Sequence, residues 1–259
     1  MIISSFSFSY DDKIKANVVR SFYISFIAYI IIIIVSILFT KPIKDEKRTI
    51  LHFANVFTNT GYVGFPVLNS TYGPEAVIYG SIFNMFFVLF LWTYGVMIFK
   101  GKMRKDEFKK ELVKVLMNPS VIAVYIGLVM IFFNVKLPEV LFSSISSVGS
   151  MTGPLSMIIV GAMLSEVKIK DYLKDWTIYY SIFVKMILIP ALFVVILSFM
   201  NDKSLVLKSI VILASMPSAA MTPIFAENFN LKKEYATIIM VVTTLFSVVT
   251  IPVLIRIIM

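Results

Sequence analysis

The 259-residue chain has no cysteine and a single histidine, His52. The first absence excludes a disulfide framework and any thiolate metal site. The second leaves no imidazole cluster for a metal. His52 lies near one end of an apolar stretch and reads as a packing or interface residue rather than a proton relay. Charge is scarce as well, with Asp, Glu, Lys and Arg at 15% of residues. No aspartate falls inside a long apolar run, so an acidic dyad at depth is missing. A membrane-embedded enzyme needs a nucleophile–base pair, a metal cluster or such a dyad, and none is present. The first twenty residues also lack the charged-then-apolar order of a secretory signal.

What is abundant is hydrocarbon. Apolar residues make up 59% of the chain and the mean hydropathy is +0.90. Those values exclude an ordinary soluble domain and point to an all-α, polytopic membrane protein. Hydropathy and breakers place about eight transmembrane helices, near 21–39, 49–73, 76–99, 118–134, 151–165, 176–199, 205–229 and 234–258. The stretch 138–150 is short and mixed, and suits an interfacial helix or the first turns of the next span.

The basic residues are not spread evenly. Of the 24 Lys and Arg, 16 fall in the four loops after the first, third, fifth and seventh spans, 7 lie on the other side, and Lys185 is inside a span. Basic loops stay in the cytoplasm, so the net charge of +9 is a topology signal and not a nucleic-acid footprint. The expected partner is the bilayer, with no nucleic acid. The segment 100–117 is a cytoplasmic basic loop. Phe108, Leu112 and Val115 among its lysines suit either the anionic inner leaflet or a solvated position.

Two spans are interrupted. The first holds Gly61, Gly64 and Pro66 beside Asn55, Thr58, Asn59 and Thr60. The second holds Ser215, Pro217, Ser218, Thr222 and Pro223. Proline removes a backbone donor and glycine weakens a helix. Bare amides and carbonyls in hydrocarbon cost several kcal/mol each unless protein, water or a ligand meets them. Broken helices in corresponding places of two halves point to a transporter site, whereas a satisfied proline kink is the plain alternative. Spans one to three and six to eight read alike, as plain, interrupted, plain. Their predicted orientations are opposite, which makes an inverted repeat.

These residues resemble the auxin efflux carrier family, which includes bacterial malate- and malonate-permease-like proteins and plant auxin exporters. The likeness rests on NTGYVGFP at 59–66, NP at 118–119 with Gly127, GSMTGP at 149–154, Gly161, Lys185, Pro190, MPSA at 216–219 and AE at 226–227. It implies ten spans in two inverted five-helix repeats whose broken helices cross at mid-membrane. The eight spans then match the third to tenth, and the family's first two helices have no match. Residues 1–99 become the remainder of the N-terminal repeat, with three spans. Residues 118–259 become the C-terminal repeat, with five.

The candidate site follows from chemistry and from this resemblance. Gly61, Gly64, Pro66 and Pro217 open the backbone. Asn59, Thr60, Ser215, Ser218 and Thr222 offer amide and hydroxyl groups to a carboxylate, and freed N–H groups at half-helix starts favour an anion. Asn84 faces either the site or a neighbouring helix. Tyr62 and Phe65 wall the cavity or pack in the core. Lys185 lies roughly 14 Å into its span at 1.5 Å per residue. It compensates an anionic substrate, organises carbonyls at the crossing, or snorkels to the interface. Glu227 takes a proton in coupling, or lines the mouth as a charge-paired residue. The expected function is secondary transport of a small organic anion across the cell membrane by alternating access. The resemblance implies mono- or dicarboxylates as substrates and a homodimer. No cofactor is expected. A non-transporting or truncated sensor or partner subunit is the alternative.

Overall fold

The computed structural model describes residues 1–6, 12–101, 104–165, 172, 174–200 and 204–259. In chain order the helices are α1 (Ile2–Ser5), α2 (Asp12–Thr40), α3 (Asp45–Val56), α4 (Phe65–Tyr72), α5 (Pro74–Phe90), α6 (Val96–Lys100), α7 (Lys105–Leu116) and α8 (Pro119–Phe133). They continue with α9 (Glu139–Ser150), α10 (Thr152–Ser165), α11 (Trp176–Ile182), α12 (Ile189–Met200), α13 (Leu205–Ala214), α14 (Met221–Asn228) and α15 (Lys233–Ile258). Wider π-turns at Leu91–Gly95 and Phe183–Leu188 join α5 to α6 and α11 to α12. The fold is all-α because a backbone in hydrocarbon must bond within its own segment.

Local chemistry sets the boundaries. Asn118 caps α8 through Ser120, with Pro119 in the first turn, where a missing N–H costs nothing. Gly73, at φ +78°, makes the left-handed turn from α4 into Pro74 at the head of α5. Pro190 follows the second π-turn and lacks the donor that Met186 O would receive. The widened turn absorbs that missing rung.

The expected eight spans become fewer continuous ones. Among the described residues four helices are long and apolar enough to cross a membrane: Asp12–Thr40, Pro74–Lys100, Trp176–Met200 and Lys233–Ile258. A fifth forms only if α7 and α8, bent by 58°, count as one. Each interrupted span is divided into halves too short to cross alone, and α8 and α10, with 15 and 14 residues, are themselves short of a full crossing. The segment expected as the 100–117 loop is helical over Lys105–Leu116. Large apolar side chains such as Tyr23, Phe133, Val248 and Ile257 stand exposed on the long helices. In water that surface would aggregate, whereas in lipid it is solvated.

The two triplets share one register. Thr40 and Met200 end the first helix of each, and Asp45 and Leu205 begin the broken one. Each pair is 160 residues apart. The triplets also interlock. α3 packs on α15 and the Phe183–Leu188 turn, while α13 packs on α2 and α5. The loops segregate to opposite ends, as inverted triplets require. At one end Lys47 bridges Asp175 at 2.6 Å, and Tyr172 donates to Glu234 at 3.1 Å. At the other, Lys208 donates to Met259 O at 3.3 Å and lies 5.8 Å above the Tyr72 ring.

Asp175 both caps α11, accepting from Thr177 N–H at 3.1 Å, and pairs with Lys47. Burial pushes its carboxyl up, but the bonds from Lys47 and Thr177 outweigh burial and hold it below its ordinary value. A lowered folded-state pKa gives stability that is complete above the unfolded value and lost as pH falls through the folded one. Asp175→Ala should therefore cost about 1 kcal/mol at neutral pH through the lost cap alone. Thermal melts in detergent should show the gap to wild type closing below about pH 4.

Candidate functional site: the crossing of two broken helices

α3 ends at Val56, and Phe57 turns to an extended backbone at φ −96°, ψ 115°. α13 ends at Ala214, and the chain runs unwound through Pro217 to Ala220. The two unwound stretches meet side by side and antiparallel, with Thr58 opposite Ser218. Asn59 N–H donates to Pro217 O at 2.8 Å, and Ala219 N–H donates to Phe57 O at 2.9 Å. Exchanging Thr58 with Ser218 exchanges the two bonds, and these residues are also 160 apart. The pair thus has a local two-fold, with the same 160-residue offset as the helix ends. In this kind of pair the facing residues bring their side chains closest.

The first break lies upstream of where the sequence puts it. Residues 61–66 are not unwound. Thr60–Gly64 forms a π-turn that runs directly into α4, and the widened turn absorbs the donor missing at Pro66, as it does before Pro190. Asn59 starts that turn, its Oδ1 accepting from Tyr62 N–H at 3.3 Å and its carbonyl from Gly64 N–H at 3.0 Å. Amides near the crossing are largely used. Ser218 N–H donates to Thr243 Oγ1 at 3.2 Å, and Thr222 N–H to Ala219 O at 2.9 Å.

Side chains, more than amides, are left over. Asn55 Oδ1, Thr58 Oγ1, Asn59 Nδ2, Ser215 Oγ, Ser218 Oγ and Thr222 Oγ1 are buried with no protein partner. Tyr29 OH lies beside Thr58 without a well-formed bond. A buried orphan costs about 1–3 kcal/mol, so their concentration around one bridge needs a reason.

Lys185 is fully buried. It does not snorkel; Nζ donates to Asn55 O at 2.7 Å. That carbonyl is one of the last four of α3, which lack helical donors and carry the negative end of the half-helix dipole. Among the described residues no carboxylate lies within ion-pair distance of Lys185.

The structure joins some of the expected residues and separates others. Thr60 donates to Asn84 Oδ1 at 2.6 Å, which ties the π-turn to α5. Gly64 lets the turn close on α13, since a Cβ there would come within 2.4 Å of Leu213. Gly61 and Tyr62 instead line an apolar cleft of about 660 Å³ toward α8 and α9. Pro66 lines a cleft of about 330 Å³ with Met1, Asn69 and Gly153. Phe65 is in the core. Glu227 is 57% exposed and paired with Lys233 at 2.8 Å, away from the crossing. Asn55 and Thr58 were named beside the first break but not among the candidate site residues, and Thr243 was not named. The polar cluster at 55–60 contained the first two, while Thr243 in an apolar span gives little signal by itself.

Fold and crossing together define a multi-pass membrane transport protein. The chain belongs to the membrane transport protein family that includes the auxin efflux carriers: the family model described as "Membrane transport protein" matches residues 1–255. An uncharacterised transporter of Methanocaldococcus jannaschii is 30% identical over 215 residues, which is 81% of this chain and 68% of the relative. The chain is accordingly a transporter and not an enzyme.

Thr243→Val keeps shape but removes the acceptor for Ser218 N–H. It should destabilise the protein by about 1–3 kcal/mol, read as a lower denaturation midpoint in detergent. Thr243→Ser, which keeps the oxygen, should recover most of the loss.

Proposed function

We propose that the chain is a secondary transporter that moves a small organic anion, a mono- or dicarboxylate, across the cytoplasmic membrane by alternating access. One observation carries this reading: the fully buried Lys185 ammonium faces only a neutral carbonyl, beside a crossing rich in unpartnered hydroxyls. A buried cation is stabilised far more by an anion than by one carbonyl, so the site is short of one negative charge. A carboxylate supplies it, together with acceptors for Ser215, Ser218 and Thr222 hydroxyls and for Asn59 Nδ2. Thr60 and Asn84, bonded to each other, hold the π-turn at the site. Gly64 and Pro217 shape the backbone there, whereas Gly61 and Pro66, expected at the site, line clefts elsewhere. The two triplets act as the moving part, closing the crossing to one side and then the other.

In liposomes loaded with labelled malate and related carboxylates, wild type should catalyse flux. Lys185→Met should reduce it at least about tenfold, the equivalent of 1.4 kcal/mol of lost anion stabilisation. Unchanged flux in that variant would leave Lys185 as a brace for the end of α3 and remove the counter-charge argument.

A further inference from the structure

We propose that a second anion-binding site, built on Arg48, lies in a cleft at the lysine-rich end of α3 and receives the solute before it reaches the crossing. It rests on the reading of the chain as an organic-anion transporter.

The cleft, of about 510 Å³, lies between the end of α2, the start of α3 and α6. Its polar lining comes from Thr40, Arg48, Thr49, His52 and Tyr94, and no carboxylate lines it. Arg48 is exposed and makes no ion pair among the described residues, so its guanidinium fork is free for a carboxylate.

The floor of the cleft is a fixed hydrogen-bonded chain. His52 Nδ1 lies 2.7 Å from Ser36 Oγ, and Nε2 lies 2.7 Å from Tyr94 OH. Ser36 Oγ is farther, at 3.2 Å, from the His52 carbonyl. Between them these contacts fix the imidazole and hold the Tyr94 hydroxyl in place on the wall of the cleft. Both imidazole nitrogens are used, so His52 orients Tyr94 and does not itself bind the solute. The π-turn Leu91–Gly95 carries Tyr94. Gly95 allows that turn to close on α3, because a Cβ there would meet Phe53 and Phe57 at 3.1–3.2 Å.

α3 carries residues of both the cleft and the crossing. Arg48, His52 and Asn55 follow one another on α3 at spacings of four and three, which is one face of a helix. The stripe runs from an exposed guanidinium, past the histidine chain, to the Asn55 carboxamide at the end of α3. Arg48 is the outer rung of that route, where a cation raises the local concentration of an anion.

The protein has no cysteine, so Met97→Cys places a single thiol on the wall of the cleft, at a residue 41% exposed. Thr49→Cys is a second reporter should Met97→Cys fail to fold. Maleimide labelling in detergent is followed with malate, with inorganic phosphate, and in vesicles of phosphatidylglycerol or phosphatidylcholine. Malate should slow labelling. Adding Arg48→Gln should raise the half-protecting malate concentration roughly tenfold, as expected for a lost charge-assisted hydrogen bond. Adding Ser218→Ala should leave protection in place, because the reporter is in the cleft and not at the crossing. Protection that ignores Arg48, no protection, or protection only by phosphate or by phosphatidylglycerol would overturn the proposal. The assay needs no flux, so its failure is distinct from a failure of the transport reading.

Discussion

Two hydrogen bonds between unwound backbones hold this architecture together. In hydrocarbon a broken helix is tolerated only where its freed groups find partners. Here each break supplies partners for the other, through Asn59 and Pro217 on one side and Ala219 and Phe57 on the other. Neither interruption is viable alone, which is why the chain carries two of them, 160 residues apart. Close approach makes the exchange possible. Leu213 fits a notch left by Gly64 and Gly80, where Cβ atoms would lie 2.4 Å and 3.0 Å from it. On the other side of the crossing Phe53 packs on Phe225 with ring centroids 4.8 Å apart, fixing α3 against α14.

The same geometry explains the electrostatics. Ending α3 in mid-membrane leaves carbonyls without donors, and Lys185 answers one of them from the opposite triplet. A neutral carbonyl orders the ammonium without cancelling its charge. Contrast the lysine-rich end, where Lys47 meets Asp175 and Lys233 meets Glu227, and the charges cancel locally. Those two pairs neutralise charge near water, whereas Lys185 at the break has no carboxylate partner among the described residues. The proposed anion site rests on that missing partner, which a structural ion pair would have supplied.

Much of this was legible from residue order. The apolar runs, the basic loops and the two clusters of Gly, Pro, Ser and Thr gave the membrane class, the inverted triplets and the general location of both breaks. Lys185 stood out because an ionisable group at that depth is costly. The misplacement of the first break has a local cause. Gly61, Gly64 and Pro66 are strong helix breakers by propensity, yet Asn59 caps a π-turn through the two glycines, and that widened turn takes up the donor Pro66 lacks. Glu227, the acidic residue nearest a break in sequence, is turned to the surface and held by Lys233. Thr243 could not be found from the chain, since its role depends on Ser218 arriving beside it from another helix.

Sequence by itself determined the solvent, the helices and the symmetry. Those follow from composition and from periodicities within single segments, where propensity and hydropathy act over a few turns. Only the tertiary structure decided which atoms meet. Thr58 faces Ser218, Lys185 reaches Asn55, and Ser218 meets Thr243, because helices far apart in the chain pack at a fixed register. Such contacts depend on angles and close approaches between segments, and no local pattern encodes them.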